Sequence, residues 1–456
     1  MERRSIQERI KFEEQDILKL LNEKKYSELR EFLLDINEVD IAEIISNIED
    51  KHYGLILFRM LSEESAAQVF AFLDLEKQVD IITNFSEDEI REIMNEVFFD
   101  DIVDLVEEMP AEFVNKVLRN ISAEERTLMN EFLGYPEDSA GSVMTIEYVS
   151  LHKNYKVKDA LEHIHDVGLK KETVYSSYVV DNRRRLIGII SLRKLVTADP
   201  EALISDIMEE DVIYVSTDDD QEFVSDLFLK YGFLAIPVLD KMNRLVGIVT
   251  YDDAVRIIEE EATEDFQLMA AITPNDDIYL DTNTKQLAKN RLPWILVLMI
   301  SATMTGLIIS NNLEILGQFA VLSTFMPMLT DTGGNASSQS STLIIRGIAT
   351  GEISEKDTMK ILKKEIKIST IIILVLAVVI LFRVFIISNE GINVALTILL
   401  ALIFTVYSSN IIGGLLPIWA KKFGFDPAVM AVPMITTMVD AMSLIIYFNL
   451  ARWILL

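Results

Sequence analysis

Pro433, Thr436, Thr437 and Asp440 recur at i, i+3, i+4 and i+7 in the last apolar stretch of the chain, so they share one face of a helix. They form a polar stripe that ends in a carboxylate deep within a segment long enough to cross a bilayer. A carboxylate at membrane depth is costly, and by default it belongs to an ion pathway; a structural salt bridge to Arg346 or Arg383 is the plainer alternative. A second apolar stretch carries Pro327 and then Asp331-Thr332-Gly333-Gly334-Asn335-Ala336-Ser337-Ser338-Gln339-Ser340, which reads as an interruption of a span. Irregular backbone in a membrane must line a wet cavity or be buried in protein, and interrupted spans point to transport sites. A simple kink or interfacial loop is the competing reading. Hydroxyls, amides and one carboxylate make an oxygen set suited to a hydrated hard divalent ion, because magnesium holds its waters and takes one or two carboxylates. Such a carboxylate would be doubled across a symmetric dimer. Magnesium, manganese and calcium are not separated by these considerations.

A different kind of carboxylate chemistry lies upstream. Residues before Arg291 include 63 acidic against 31 basic side chains, a net of −32, so the whole excess negative charge of the chain resides there. Asp100 and Asp104 of Asp100-Asp101-Ile102-Val103-Asp104 stand one helical turn apart. Glu259, Glu260, Glu261, Glu264 and Asp265 contain like pairs three and four apart, each costing a few tenths of a kcal/mol in an isolated helix. These stretches are better formed when cations neutralise them. The chain has no cysteine, which excludes disulfides and thiolate metal sites. Its four histidines, His52, His152, His163 and His165, are scattered, so no transition-metal site is expected. Neither a phosphate-binding Gly-rich loop with lysine nor a nucleophile-elbow serine occurs, so an enzyme is not expected. No nucleic-acid partner is expected, and the polar opening from Met1 to Gln15 does not read as a secretory signal.

The elements that must position these groups fall into four parts: a helical domain over 1–137, a paired repeat over 138–258, an acidic connecting helix over 259–290 and a membrane domain over 291–456. The first shows apolar positions three and four apart, as in Ile41, Ile44, Ile45, Ile48 and Ile90, Ile93, Met94, Val97. Breaks at Leu61-Ser62-Glu63-Glu64 and Asn120-Ile121-Ser122-Ala123 predict short helices stacked in a superhelix. In the second part Tyr178-Val179-Val180-Asp181 and Leu186-Ile187-Gly188-Ile189-Ile190-Ser191 are echoed by Pro237-Val238-Leu239-Asp240 and Leu245-Val246-Gly247-Ile248-Val249-Thr250. Met144 with Tyr148-Val149-Ser150 matches Met208 with Tyr214-Val215-Ser216. This resembles a tandem pair of cystathionine-β-synthase-type (CBS) domains, an α/β fold. Five apolar segments follow, at roughly 292–312, 315–350, 366–388, 392–420 and 428–451. Lys356, Lys360, Lys363, Lys364 and Lys367, and then Lys421 and Lys422, mark cytoplasmic loops. Five spans in a cell membrane then leave residues 1–290 in the cytoplasm and Leu456 outside.

Over essentially its full length the chain resembles the MgtE-type magnesium channels. The residues that carry the likeness are Pro327, Gly333-Gly334-Asn335, Gln339, Arg346-Gly347, Leu416-Pro417, Gly424-Phe425-Asp426-Pro427-Ala428, Pro433, Thr437 and Asp440. The resemblance implies a homodimer with its pore on the two-fold axis and Asp440 as the carboxylate that holds hydrated magnesium. It further implies that magnesium bridges the helical domain, the CBS pair and the connecting "plug" helix through Asp100, Asp104, Asp253, Glu261 and Glu264. At high cytoplasmic magnesium the plug would then close the pore. It also implies ATP in the CBS pair. Thr250 and Asp253 match the ribose-binding pattern, but the first repeat has Ser191 followed by Lys194, so at most one nucleotide per chain is expected. Departures from the family pattern are Asp331 in place of the usual glycine, Ser337 at a commonly smaller position, and Val432 where a polar residue often precedes Pro433. A manganese or cobalt carrier coupled to another gradient, and a membrane-tethered sensor that conducts nothing, remain as alternatives.

Overall fold

The computed structural model describes residues 15–48, 50–275, 279–280, 282–387, 391–429 and 432–456. The polar opening before Gln15, the middle of the connecting segment at 276–278 and 281, and positions 430–431 ahead of the last helix lie outside the described residues. The chain divides into two compact units, Met1–Ile258 and Glu259–Leu456.

In the first unit, short helices follow one another as α1 (15–22), α2 (Tyr26–Leu33), α3 (Glu38–Asn47), α4 (Lys51–Phe58), α5 (Glu63–Phe72), α6 (Leu75–Asn84), α7 (Glu87–Met94), α8 (Phe99–Glu108), α9 (Ala111–Asn120) and α10 (Ala123–Phe132). Their starts are set by side chains. Asn37, Asp50, Ser62, Asp74, Ser86 and Ser122 each accept a backbone N–H of the first turn. Ser86 and Ser122 complete capping boxes with Glu89 and Glu125. The predicted breaks at Ser62 and Ser122 are thus caps. The apolar faces, including Ile41, Ile44, Ile45, Ile90, Ile93 and Met94, are buried in one core that continues into the second repeat at Val215, Phe228 and Val249.

The repeat folds as β1 (Val149–His152), α11 (Val157–Val167), β2 (Ser176–Val180), β3 (Leu186–Ser191), α12 (Leu192–Thr197) and α13 (Ile204–Ile207). Then come β4 (Val215–Ser216), α14 (Gln221–Tyr231), β5 (Ala235–Leu239), β6 (Leu245–Thr250) and α15 (Tyr251–Met269). Each half is a three-stranded sheet, β1-β2-β3 or β4-β5-β6, with one parallel and one antiparallel pairing. The strand glycines are crossing points between the halves. A Cβ on Gly247 would stand 2.6 Å from Met144 Sδ, and one on Gly188 2.7 Å from Met208 Sδ. Each repeat therefore lays its leading methionine on the other's last strand.

The second unit contains α16 (Thr284–Ser310), α17 (Leu313–Gln318), α18 (Met326–Ala349), α19 (Thr358–Phe382), α20 (Ile392–Lys422) and α21 (Val432–Leu455). Helix α18 packs on α20 and α21, α19 on α20, and α16 on α21. The connecting helix expected over 259–290 differs: α15 begins at Tyr251 directly after β6 and ends at Met269, and the next helix starts at Thr284. Among the described residues, four helices are long and apolar enough to cross a membrane, over Thr284–Ser310, Glu355–Ile386, Ile392–Lys422 and Val432–Leu455. Helix α18, with 24 residues, has spanning length but a polar composition that sets it apart from those four.

The expected interruption at Pro327 and the following polar run is not there: α18 is one continuous helix. Pro327 lies in its first turn, where a missing N–H costs nothing. The break falls earlier, in the turns over Ala320–Thr324. Tertiary packing overrides the poor helix propensity of glycine. A Cβ on Gly333 would meet Thr405 Cγ2 at 2.8 Å and Val439 Cγ1 at 3.0 Å, so the three helices approach through this residue.

Candidate functional site

Two carboxylate systems stand in the two units. In the first unit, α8 brings Asp100, Asp101 and Asp104 to the start of α15, which carries Asp252 and Asp253, and to Glu147 and Glu172 of the first repeat. Asp104 and Asp253 share one cation: Arg256 Nη1 donates to Asp104 Oδ2 at 3.1 Å and Nη2 to Asp253 Oδ1 at 3.2 Å. Thr250 Oγ1 donates to Asp253 Oδ2 at 2.6 Å. Asp100 Oδ1 and Glu172 Oε2 are buried without a hydrogen-bond partner.

Burial, and after it their mutual repulsion, raises the proton affinity of these groups. Burial, then the charges of Asp101, Asp253, Glu147 and Glu172, pushes Asp100 well above the usual carboxylate range. Burial with Asp104 and Asp253 nearby lifts Asp101 to about 7. Glu172 is likewise lifted to about 7 by burial, then by Asp252, Asp253, Asp101 and Glu147. Burial raises Asp253 too, against the pull of Thr250 and Arg256. Among the described residues no three acidic or histidine side chains are arranged to grip one metal ion. The site is thus an under-neutralised acidic face. Of the residues expected from sequence, Asp100, Asp104 and Asp253 are brought to it. Asp101, Glu147, Glu172, Asp252 and Arg256 join them without having been expected as site residues. Asp101, Asp252 and Arg256 carry local signals, as neighbours of Asp100 and Asp253 and at i+3 from Asp253.

Glu261 and Glu264 lie on the part of α15 that belongs to the second unit. Further along that helix, Leu268 packs with Ile345 of α18 and with Ala428. Asp265 is pushed above the usual carboxylate range by burial and by the neighbouring Asp426.

In the membrane unit Asp440 sits on α21 beside Gly334 of α18, whose Cβ position is 3.7 Å from Asp440 Oδ1. Thr436 and Thr437 donate their hydroxyls to the carbonyl of Pro433 at 2.8 and 2.6 Å, leaving oxygen lone pairs free to accept. Asp331 stands near enough to Asp440 for the two carboxylates to repel. Continuous α18 also places Asp331, Asn335 and Gln339 at i, i+4 and i+8 on one face, and all three are exposed in the single chain. Asp440 forms no ion pair among the described residues. Arg383, one proposed partner, instead covers the Phe325 ring at 4.7 Å and donates to the Thr324 carbonyl at 3.3 Å.

Comparison with known proteins covers nearly the whole chain. Residues 326–450 match the family model described as a divalent cation transporter, 36–138 the MgtE intracellular N domain, and 140–201 and 204–260 the CBS domain. Magnesium transporter MgtE of Thermus thermophilus is 32% identical over 94% of this chain and 95% of its own length. The Bacillus subtilis protein of the same name is 33% identical over 95% and 96%. The solved soluble part of a magnesium transporter superposes with a TM-score of 0.52 at 32% identity, covering 56% of this chain and 99% of that structure. The cytosolic domain of the Mg2+ channel MgtE in complex with ATP superposes with a TM-score of 0.50 at 33% identity, covering 53% and 98%. With its helical domain, CBS pair and polar-faced membrane helices in this order, the chain belongs to the MgtE family.

Proposed function

We propose that this chain forms a homodimeric magnesium channel of the cell membrane that admits Mg2+ and is closed by cytoplasmic Mg2+. The observation that carries the reading is the face of α18 bearing Asp331, Asn335 and Gln339, exposed in one chain and set beside Asp440. Such a face does not suit lipid; it suits water or a second copy of itself. A pore on the two-fold axis gives it both.

The ion passes hydrated. Magnesium dehydrates reluctantly, and Asp440 with the Thr436 and Thr437 oxygens, the Asn335 amide and the backbone at Gly333 and Gly334 offers partners for its water shell. Five spans, with α18 as the second, put the acidic unit in the cytoplasm and Leu456 outside. When cytoplasmic magnesium is high, ions neutralise the face made by Asp100, Asp104 and Asp253 and, along α15, Glu261 and Glu264. The plug then seats through Leu268 against Ile345 and Ala428. When magnesium falls, carboxylate repulsion separates these surfaces and the open state gains population.

ATP fits as a regulator of the CBS pair. Thr250 supplies a hydroxyl and Asp253 a carboxylate that can accept from ribose hydroxyls, and the relative solved with ATP supports the reading. One nucleotide per chain follows from the first repeat, where Lys194 N donates to Ser191 Oγ at 3.3 Å and no acid stands.

The test is magnesium entry into liposomes that hold the purified protein and a magnesium-sensitive dye. Wild type fills them and Asp440→Ala does not. Manganese or cobalt entry driven only by an imposed second gradient would favour a coupled carrier, and no flux of any divalent ion would leave a sensor.

A further inference from the structure

The membrane unit holds a second carboxylate that the channel reading does not use. Glu365 lies on α19 among the exposed Lys363, Lys364 and Lys367, yet it is itself only 8% exposed. Its side chain lies in the seam between α18 and α20 and makes no ion pair among the described residues, although the Lys364 charge still acts on it. The seam is shaped for it: a Cβ on Gly414 of α20 would stand 3.0 Å from Glu365 Cγ and 3.2 Å from Ser340 Oγ.

Within a largely apolar seam, a few polar side chains form a short network beside Glu365. Ser369 Oγ donates to the Glu365 carbonyl at 2.7 Å, and Asn410 Nδ2 donates to Ser369 Oγ at 2.9 Å. Ser340 Oγ is shared between the Glu365 carboxyl and the Asn410 carbonyl, the latter at 3.3 Å. A carboxylate with neighbouring hydroxyls is a ligand type with which membrane helices hold a small dehydrated cation.

We propose that Glu365 is the carboxylate of a second cation site, between α18, α19 and α20 and separate from Asp440, that binds one monovalent ion of the sodium type. Charge decides the valence. A single carboxylate taken out of water is neutralised by one positive charge, whereas a divalent ion would leave a net charge buried in the bundle. The bound ion ties α19 and α20 to the helix that carries the Asp331, Asn335 and Gln339 face. The site does not depend on what passes Asp440.

The experiment is thermal unfolding of the full-length protein in detergent at fixed pH and ionic strength, in sodium, potassium or choline chloride. Wild type and Asp440→Asn are expected to unfold about 2 °C or more higher in sodium than in choline, and Glu365→Gln to lose that shift. Glu365→Asp, which keeps the charge on a shorter arm, is expected to need about tenfold more sodium; it and Ser340→Ala carry the test should Glu365→Gln fail to fold. A sodium shift that survives in Glu365→Gln, or in Glu365→Asp and Ser340→Ala without change, overturns the proposal. So does a wild type indifferent to sodium, including one whose Glu365-dependent stability follows only pH, which would mark a proton site.

Discussion

The acidic face of the first unit and the polar face of the membrane unit both carry carboxylates, and the proposed function gives them opposite roles, sensing and conduction. Burial first, and then one another's charges, raise the proton affinities of Asp100, Asp101, Glu172 and Asp253, with Arg256 bridging two of the acids. Asp440 stands on a rigid helix with one acidic neighbour, Asp331, and hydroxyls already oriented by Pro433. Crowded carboxylates change their arrangement when a cation arrives, which suits sensing. A sparse, braced carboxylate lets an ion enter and leave. Number and spacing of charges, more than their kind, separate the two roles.

The largest effect expected on this division comes from exchanging the lesions. Asp440→Ala should cut magnesium flux into liposomes roughly a hundredfold or more, while magnesium still protects the first unit from proteolysis. Neutralising Asp100, Asp101 and Asp253 together should do the reverse. If either set of changes abolishes both properties, the roles are not separable.

Gly333→Val should follow in size. Its side chain would overlap Thr405, Ser443 and Val439, whose atoms lie within 3.0 Å of even a Cβ. Overpacking there should cost about 1–3 kcal/mol, read as a lower unfolding temperature, together with a loss of flux. Arg256→Gln should act on the other region alone. It leaves Asp104 and Asp253 without their shared guanidinium, so the magnesium concentration that half-closes the channel should fall by about three- to tenfold, measured by titrating current.

The pH dependence is the mildest and most diagnostic. Asp101 and Glu172 are raised to about 7 in the folded chain, so between roughly pH 4.5 and 7 the folded state binds more protons than the unfolded one. Without magnesium, stability contributed by the neutral forms is full at pH 4.5 and is lost as pH rises through 7, at no more than ~1.4 kcal/mol per pH unit per group. Saturating magnesium should flatten that slope. A magnesium-free protein that gains stability between pH 6 and 8 would contradict the crowding of this face.

Much of this was legible in the sequence. The CBS pair announced itself because Leu186 to Ser191 and Leu245 to Thr250 repeat strand for strand, and the short N-terminal helices because Ser62 and Ser122 cap them. Asp440 stood out because a lone acid in an apolar helix has few innocent explanations. The polar run of α18 was misleading for a physical reason. Glycine, serine and asparagine weaken a helix in isolation, and only the contacts of Gly333 with α20 and α21 show why the helix persists. Its Asp331, Asn335 and Gln339 face was visible in the spacing once the run was taken as helical. Glu147 and Glu172 could not be linked to Asp100 from spacing, since their approach is tertiary, and Glu365 is hidden among lysines that suggest an ordinary charged interface.

Most direct of all is current through inside-out membrane patches as magnesium is raised on the cytoplasmic face, for wild type and for the chain with Asp100, Asp101 and Asp253 changed to asparagine. The expected result is that wild type closes as magnesium rises while the substituted chain stays open with unchanged unitary current. A wild-type current indifferent to cytoplasmic magnesium, or a substituted chain that still closes at the same concentration, would contradict the assignment of sensing to the acidic face and conduction to Asp440.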